Sequence, residues 1–148
     1  MNAAAVRAYD FRRSGFVDPA LARQVRVWLT KAATVFQRRW EELAPGPLKA
    51  RPAAPYGLSF ANLVEALPRL ATGCRMLAGA ERVPCLVTVS QPGIQVLVGQ
   101  ILCDNPTAFP DPRELTGIEL DLCQLVFDGL RAALSEGWPQ KEPLPVEL

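Results

Sequence analysis

The chain contains no histidine, and that removes most of the common catalytic and metal chemistries. Without an imidazole there is no Ser–His–Asp or Cys–His nucleophile, no His-ligated zinc and no histidine pH switch. Four cysteines remain, Cys74, Cys85, Cys103 and Cys123, standing 11, 18 and 20 residues apart. Zinc ribbons and thioredoxin-like centres need a C-x-x-C pair, which this spacing does not offer. Small secreted disulfide scaffolds are richer in cysteine and follow a signal peptide, whereas Met1 to Arg13 has no apolar h-region. The thiols are therefore read as reduced, buried, small hydrophobes of a cytoplasmic protein. Glu119 belongs to a recognisable local pattern, but the pattern is structural: Thr116-Gly117-Ile118-Glu119 is a capping box. No catalytic residue, metal or cofactor is expected, and a protein that binds is favoured over one that catalyses.

The elements that must carry any binding surface follow from periodicity. At 148 residues, 49% hydrophobic and 21% charged, the chain is read as one globular domain, 1–148. Within it, 1–17 form an N-terminal arm, 44–55 a Pro-rich connector and 139–148 a C-terminal tail. No run of 18 apolar residues is present, so no membrane span is expected. Asp18-Pro19 opens a long helix, with Asp as cap and Pro at the first position. Leu21, Val25, Trp28, Leu29, Ala32, Phe36, Trp40 and Leu43 make one apolar stripe, and Pro45-Gly46-Pro47 ends it.

Tyr56 to Pro68 reads as a short helix capped by Ser59, with Phe60, Leu63, Val64 and Leu67 as its apolar face. The runs Leu70–Leu77 and Val83–Ser90 read as strands, joined by a short connector containing Gly79 into an antiparallel hairpin. A helix from Pro92 over Gly93–Leu102 has Gln95 and Gln100 as its polar side chains, which predicts nearly complete burial. The turn-rich stretch Cys103–Arg113 follows, and the capping box starts a last helix that runs to about Glu136. The fold class is thus α/β (α+β), layered, in the order α-α-β-β-α-α. Two short strands do not make a stable sheet alone, so something must complete it.

Charge is uneven: residues 1–55 hold ten basic and four acidic side chains, residues 56–148 six and eleven. With a formal net charge of +1, a dedicated nucleic-acid binder is disfavoured. Arg12, Arg13, Arg23, Arg26, Lys31, Arg38 and Arg39 are read as a basic flank lying near acidic elements of the same fold or of a neighbouring subunit.

Several strings in this order resemble the flagellar motor-switch protein family FliM, in the first half of its middle domain. They are Tyr9-Asp10-Phe11-Arg12-Arg13, Tyr56-Gly57 with Phe60, Leu67-Pro68, Gln91-Pro92, Glu114-Leu115-Thr116-x-Ile118-Glu119, and Trp138-Pro139. The similarity runs over roughly residues 7–142. It implies a CheC-like fold of two pseudo-equivalent halves, a non-catalytic place in a cytoplasmic motor ring beside copies of itself and beneath FliG, and only indirect contact with a membrane. A type III secretion ring component is a close variant.

Where the family carries a Gly-Gly-x-Gly loop that contacts FliG, this chain has Cys103-Asp104-Asn105-Pro106. The resemblance marks these four as partner-binding candidates. Cys103 and Pro106 are expected to resist the positive-φ backbone that glycine permits, so the family's loop geometry is not expected to be inherited and the 103–109 loop is not expected to act as a general FliG-binding site. The family's CheY-capturing segment, second half and FliN-like domain have no counterpart in the sequence, which suggests a stand-alone half-domain.

CheC-type phosphatases share the fold and need a Glu and an Asn three residues apart on a helix. Here Glu119 is followed at that spacing by Leu122, which cannot donate or accept a hydrogen bond. The chain therefore reads as a relative without that active site, and no small-molecule substrate is expected. The expected partner is a second copy or another FliM- or FliN-like half-domain, with a FliG-like protein also implied. Trp28, Trp40, Val87, Val89 and Leu97 are the candidates for self-association.

Overall fold

The computed structural model describes residues 17–68, 70–104, 108–140, 142 and 144–148. Tyr9-Asp10-Phe11-Arg12-Arg13, most of the N-terminal arm, Asn105 and Pro106 lie outside them. The order is α1 (Pro19–Leu43), α2 (Phe60–Ala66), β1 (Ala71–Ala78), β2 (Val83–Ser90), α3 (Gln91–Ile101), α4 (Gly117–Glu136) and β3 (Val146–Glu147).

The expected caps hold because each has a local cause, although α2 is shorter than the Tyr56–Pro68 expected. Asp18 accepts from the amides of Ala20 and Leu21 at the head of α1, Ser59 accepts from Asn62 at α2, and the capping box of α4 is complete. These bonds satisfy amides that a helix start otherwise leaves unpaired.

The sheet differs from the two-stranded expectation. A third strand, β3, comes from the segment read as a tail, and the sheet order is β2-β1-β3. Leu77 pairs with Glu147 and Ala78 with Val146, antiparallel, and Gly79 N–H donates to Pro145 O at 2.8 Å. Val146-Glu147 is too short for a period-two pattern to show in sequence. The hairpin register, Cys74 opposite Val87 and Met76 opposite Cys85, turns Cys74, Met76, Val87 and Val89 to one face, where they join the core. Arg75, Pro84 and Leu86 on the other face are exposed.

α3 and α4 cover the inner face of the sheet and α1 packs on α4. Trp40, Met76, Ile94, Val98 and Val126 are the largest fully buried side chains. The α1–α4 contact is close: a Cβ at Gly137 would stand 2.6 Å from Ala32 N, and one at Gly129 would stand 3.2 Å from the Phe36 ring.

Three further expectations are corrected. α3, expected to be nearly completely buried, is buried or half-buried along its whole length, Gln91, Gln95 and Gln100 included, but Leu97 is only half-buried and Leu102, just past its end, is exposed. Trp40 and Gln100 bury each other's polar atoms through one hydrogen bond, Trp40 Nε1 to Gln100 Oε1 at 2.8 Å, which is why a polar side chain can face inward. On α2, Leu63 and Val64 are exposed, because no described element packs closely on that helix. Finally, the free thiols split: Cys123 is buried and Cys74 half-buried, but Cys85 and Cys103 are exposed.

Candidate interaction surface

The residues singled out from sequence fall into two regions. β1 lies between β2 and β3, so the outer edge of β2 has no strand partner among the described residues. Val87 and Val89 are half-buried on the core side of that edge, and Leu97 of α3 is half-buried as well. β2 carries no charged residue, so it lacks the usual protection of an edge strand. Trp40 does not belong here: it is 1% exposed and fills the core. Trp28 is occupied within the chain, its Nε1 donating to Leu134 O at 2.8 Å. Its ring meets Trp138 edge-on, with centroids 5.1 Å apart.

The second region is the loop after α3. Cys103 N–H donates to Gln100 O at 3.1 Å and Asp104 N–H to Gly99 O at 2.8 Å, the paired bonds of a Schellman C-cap. That motif requires a left-handed residue, and Cys103 supplies it with φ +63°. The expectation that Cys103 resists positive φ is therefore corrected; two backbone bonds hold it there. Cys103 and Asp104 are exposed. Two apolar side chains of the same stretch are also exposed: Leu102 at 56%, which the sequence placed at the end of the buried helix, and Phe109 at 76%. Phe109, set between turn residues with no helix or strand to bury it, was the available signal.

The loop is tied down behind. Gln91 Nε2 donates to Arg113 O at 2.7 Å, joining the start of α3 to the approach to α4. Arg113 Nη1 and Nη2 donate to the two Glu119 oxygens at 2.9 and 2.5 Å, and Thr116 N–H donates to Glu119 Oε2 at 2.8 Å. The guanidinium first, and the Thr116 amide after it, lower the Glu119 carboxyl to about 2. So engaged, the Glu119 carboxylate serves the helix cap and the Arg113 pair, and Leu122 beside it is half-buried against the core.

Burial pushes the Cys74 and Cys123 thiols above their ordinary range, away from the nucleophilic thiolate. Among the described residues no three His, Cys, Asp or Glu side chains group to hold a metal, and no helix is long and apolar enough to cross a membrane.

No family model and no curated protein matches the sequence. Solved structures do match the fold, among them two complexes. One is the crystal structure of a FliG-FliM complex from H. pylori, with TM-score 0.78, 14% identity, and coverage of 88% of this chain and 72% of that one. The other is a FliM-SpeE complex from H. pylori, with TM-score 0.76, 14% identity, and coverage of 90% and 69%. FliM is the component common to both. The fold is FliM-like. The α+β layering expected from the FliM resemblance is thereby established, at an identity that carries the fold alone.

Proposed function

We propose that the chain is a non-catalytic, FliM-like interaction component of a flagellar motor-switch type of assembly, working on the cytoplasmic side and engaging a FliG-like protein. The observation that carries this reading is the FliM-like fold over 88% of the chain, shared with a FliG-FliM complex. The partner-facing region comprises Leu102, Cys103, Asp104 and Phe109, with Asn105 and Pro106, outside the described residues, as candidates by resemblance alone. Its left-handed start at Cys103 is a backbone form that glycine adopts readily, and Leu102 and Phe109 supply exposed apolar anchors of the kind that interfaces concentrate. Val87, Val89 and Leu97 face a second copy or another half-domain, which would add its strand to the open edge of β2.

Binding to an immobilised FliG middle domain tests the first part. Wild type is expected to bind, and Phe109→Ser with Leu102→Ser to bind about tenfold more weakly or worse. No binding by the wild type at about 100 μM, well into the range of weak interfaces, would refute it. Light scattering tests the second: wild type is expected as a dimer, and Leu97→Glu as a folded monomer. A monomeric wild type would sink the edge pairing.

A further inference from the structure

A pocket of about 230 Å³ opens where α1, α4 and the Pro-rich connector meet. α1 supplies Leu29, Ala33 and Phe36 to its walls, α4 supplies Leu130 and Leu134, and Ala50 to Pro52 close the third side. The connector is held there by Gln37, whose Nε2 donates to Leu48 O at 3.0 Å. Four of the ten lining residues are alanines, which end at Cβ and leave the space between the longer side chains unfilled. Among the described residues that line it, Arg51 alone carries a polar side chain.

An apolar cavity of about 150 Å³ takes up a benzene ring, so this pocket accommodates one aromatic side chain. It is small for a cofactor, whose sites measure about 300–1,000 Å³. The chain itself holds such rings close by. Residues 1–16, outside the described residues, lead into the head of α1 and contain Tyr9, Phe11 and Phe16. Along α1 the pocket begins at Leu29, about 15 Å from Pro19, and Ala33 stands at about 21 Å. Six extended residues, from Val17 back to Phe11, span about 20 Å. Phe11 therefore reaches the pocket if the segment lies back along α1, whereas Phe16, next to Val17, falls short. The path between is apolar: Ala22, Val25, Leu29 and Ala33 follow at three- and four-residue steps on one line of the helix, each half-buried.

We propose that the segment 1–16 folds back along α1 of its own chain and seats the Phe11 ring in this pocket, a strap across α1, α4 and the connector. Tyr9 falls on the same side as Phe11 in an extended chain and lies over the mouth, where Arg51 offers its ring a cation. The contact is made within one chain. It uses neither the edge of β2 nor the loop at Cys103, so it stands or falls separately from both interfaces proposed above.

Trypsin cleavage of the full chain at Arg12 and Arg13 tests it, because cutting tracks the fraction of molecules whose segment is released. Each rate is divided by that of the matching free peptide, residues 1–16, which removes the effect of sequence on the protease itself. Wild type should be cut about tenfold more slowly than its peptide, and Phe11→Ser about as fast as its own. Ala33→Leu fills the pocket far along the chain from the cut and should abolish the protection. Ala50→Leu should do the same from the connector wall. If a pocket variant fails to fold, Phe11→Ser, which leaves the described core untouched, decides alone. Protection should be equal at about 1 and 100 μM protein, a range that separates contacts within a chain from weak ones between chains. A wild type cut as fast as its peptide, or folded pocket variants as protected as wild type, would overturn the proposal. So would protection that grows with concentration, since the ring in the pocket would then belong to another copy.

Discussion

Replacing Cys103 by glycine is expected to make the protein more stable. Cys103 sits at φ +63°, where a side chain crowds the following carbonyl at a cost of about 1–2 kcal/mol. Its position is fixed by the 3.1 Å bond to Gln100 O and the 2.8 Å bond from Asp104 to Gly99 O, so the residue cannot relax without uncapping α3. The side chain is exposed, and its removal gives up little packing. Against the relieved strain stands the extra freedom of glycine in the unfolded chain, about 0.5–1 kcal/mol. The difference leaves Cys103→Gly more stable by about 0.5–1 kcal/mol, or about 2–4 °C in Tm per kcal/mol for a chain of this size. Urea unfolding should show a higher midpoint at unchanged slope. Cys103→Asn should gain less, and Cys103→Val should lose stability because β-branched residues fit the left-handed region worst. If Cys103→Gly gains nothing and Cys103→Val costs nothing, the left-handed cap is not the conformation in solution.

Gly137→Ala is expected to destabilise by about 1–3 kcal/mol by chemical denaturation, since its Cβ would fall 2.6 Å from Ala32 N and backbone must shift to admit it. Trp40→Phe removes the donor to Gln100 Oε1 and leaves a buried carbonyl unpaired, so a loss of about 1–3 kcal/mol should appear in the same assay. The carboxyl of Glu119 is held down to about 2 against an ordinary 4.5. Its contribution to stability is full above about 4.5 and is lost as pH falls toward 2. Unfolding midpoints should therefore fall more steeply over that window in wild type than in Glu119→Gln, and converge near its lower end.

Much of the architecture was legible in the sequence because it was set by local chemistry. The Asp18, Ser59 and Thr116 caps act on amides two or three residues away, and Pro45 and Pro47 end α1 by what they cannot do. The β2 limits follow from a β-branched run with Pro84 at its start. What stayed hidden depended on distant partners. β3 is two residues long and exists because β1 offers it an edge. The burial of Gln100 makes sense only with Trp40, 60 residues earlier, as its donor. Trp40 and Trp28 share one stripe with the same period, so spacing alone could not divide core from surface between them. The loop at Cys103 was misjudged for the opposite reason: residue type argued against a left-handed backbone, and two main-chain bonds outweighed it. Leu102 continued the apolar run of α3, so its exposure became visible only in three dimensions, whereas Phe109 already stood among turn residues that offer no element to bury it.

The pairing of the first long helix with the last one also has a consequence for how the chain is made. α4 begins 74 residues after α1 ends, and none of the intervening elements packs extensively on α1. At about 5–20 residues per second, with 20 residues of α4 still to be synthesised, α1 waits roughly 5–20 s on the ribosome without its cover. During that interval Ala32, Phe36 and Trp40 face water or whatever binds them. The β1–β2 hairpin, whose contacts are local, is complete well before. A nascent chain halted before Gly117 would therefore hold a hairpin still without β3 and an α1 with its apolar stripe open, the state in which such chains aggregate or recruit a chaperone.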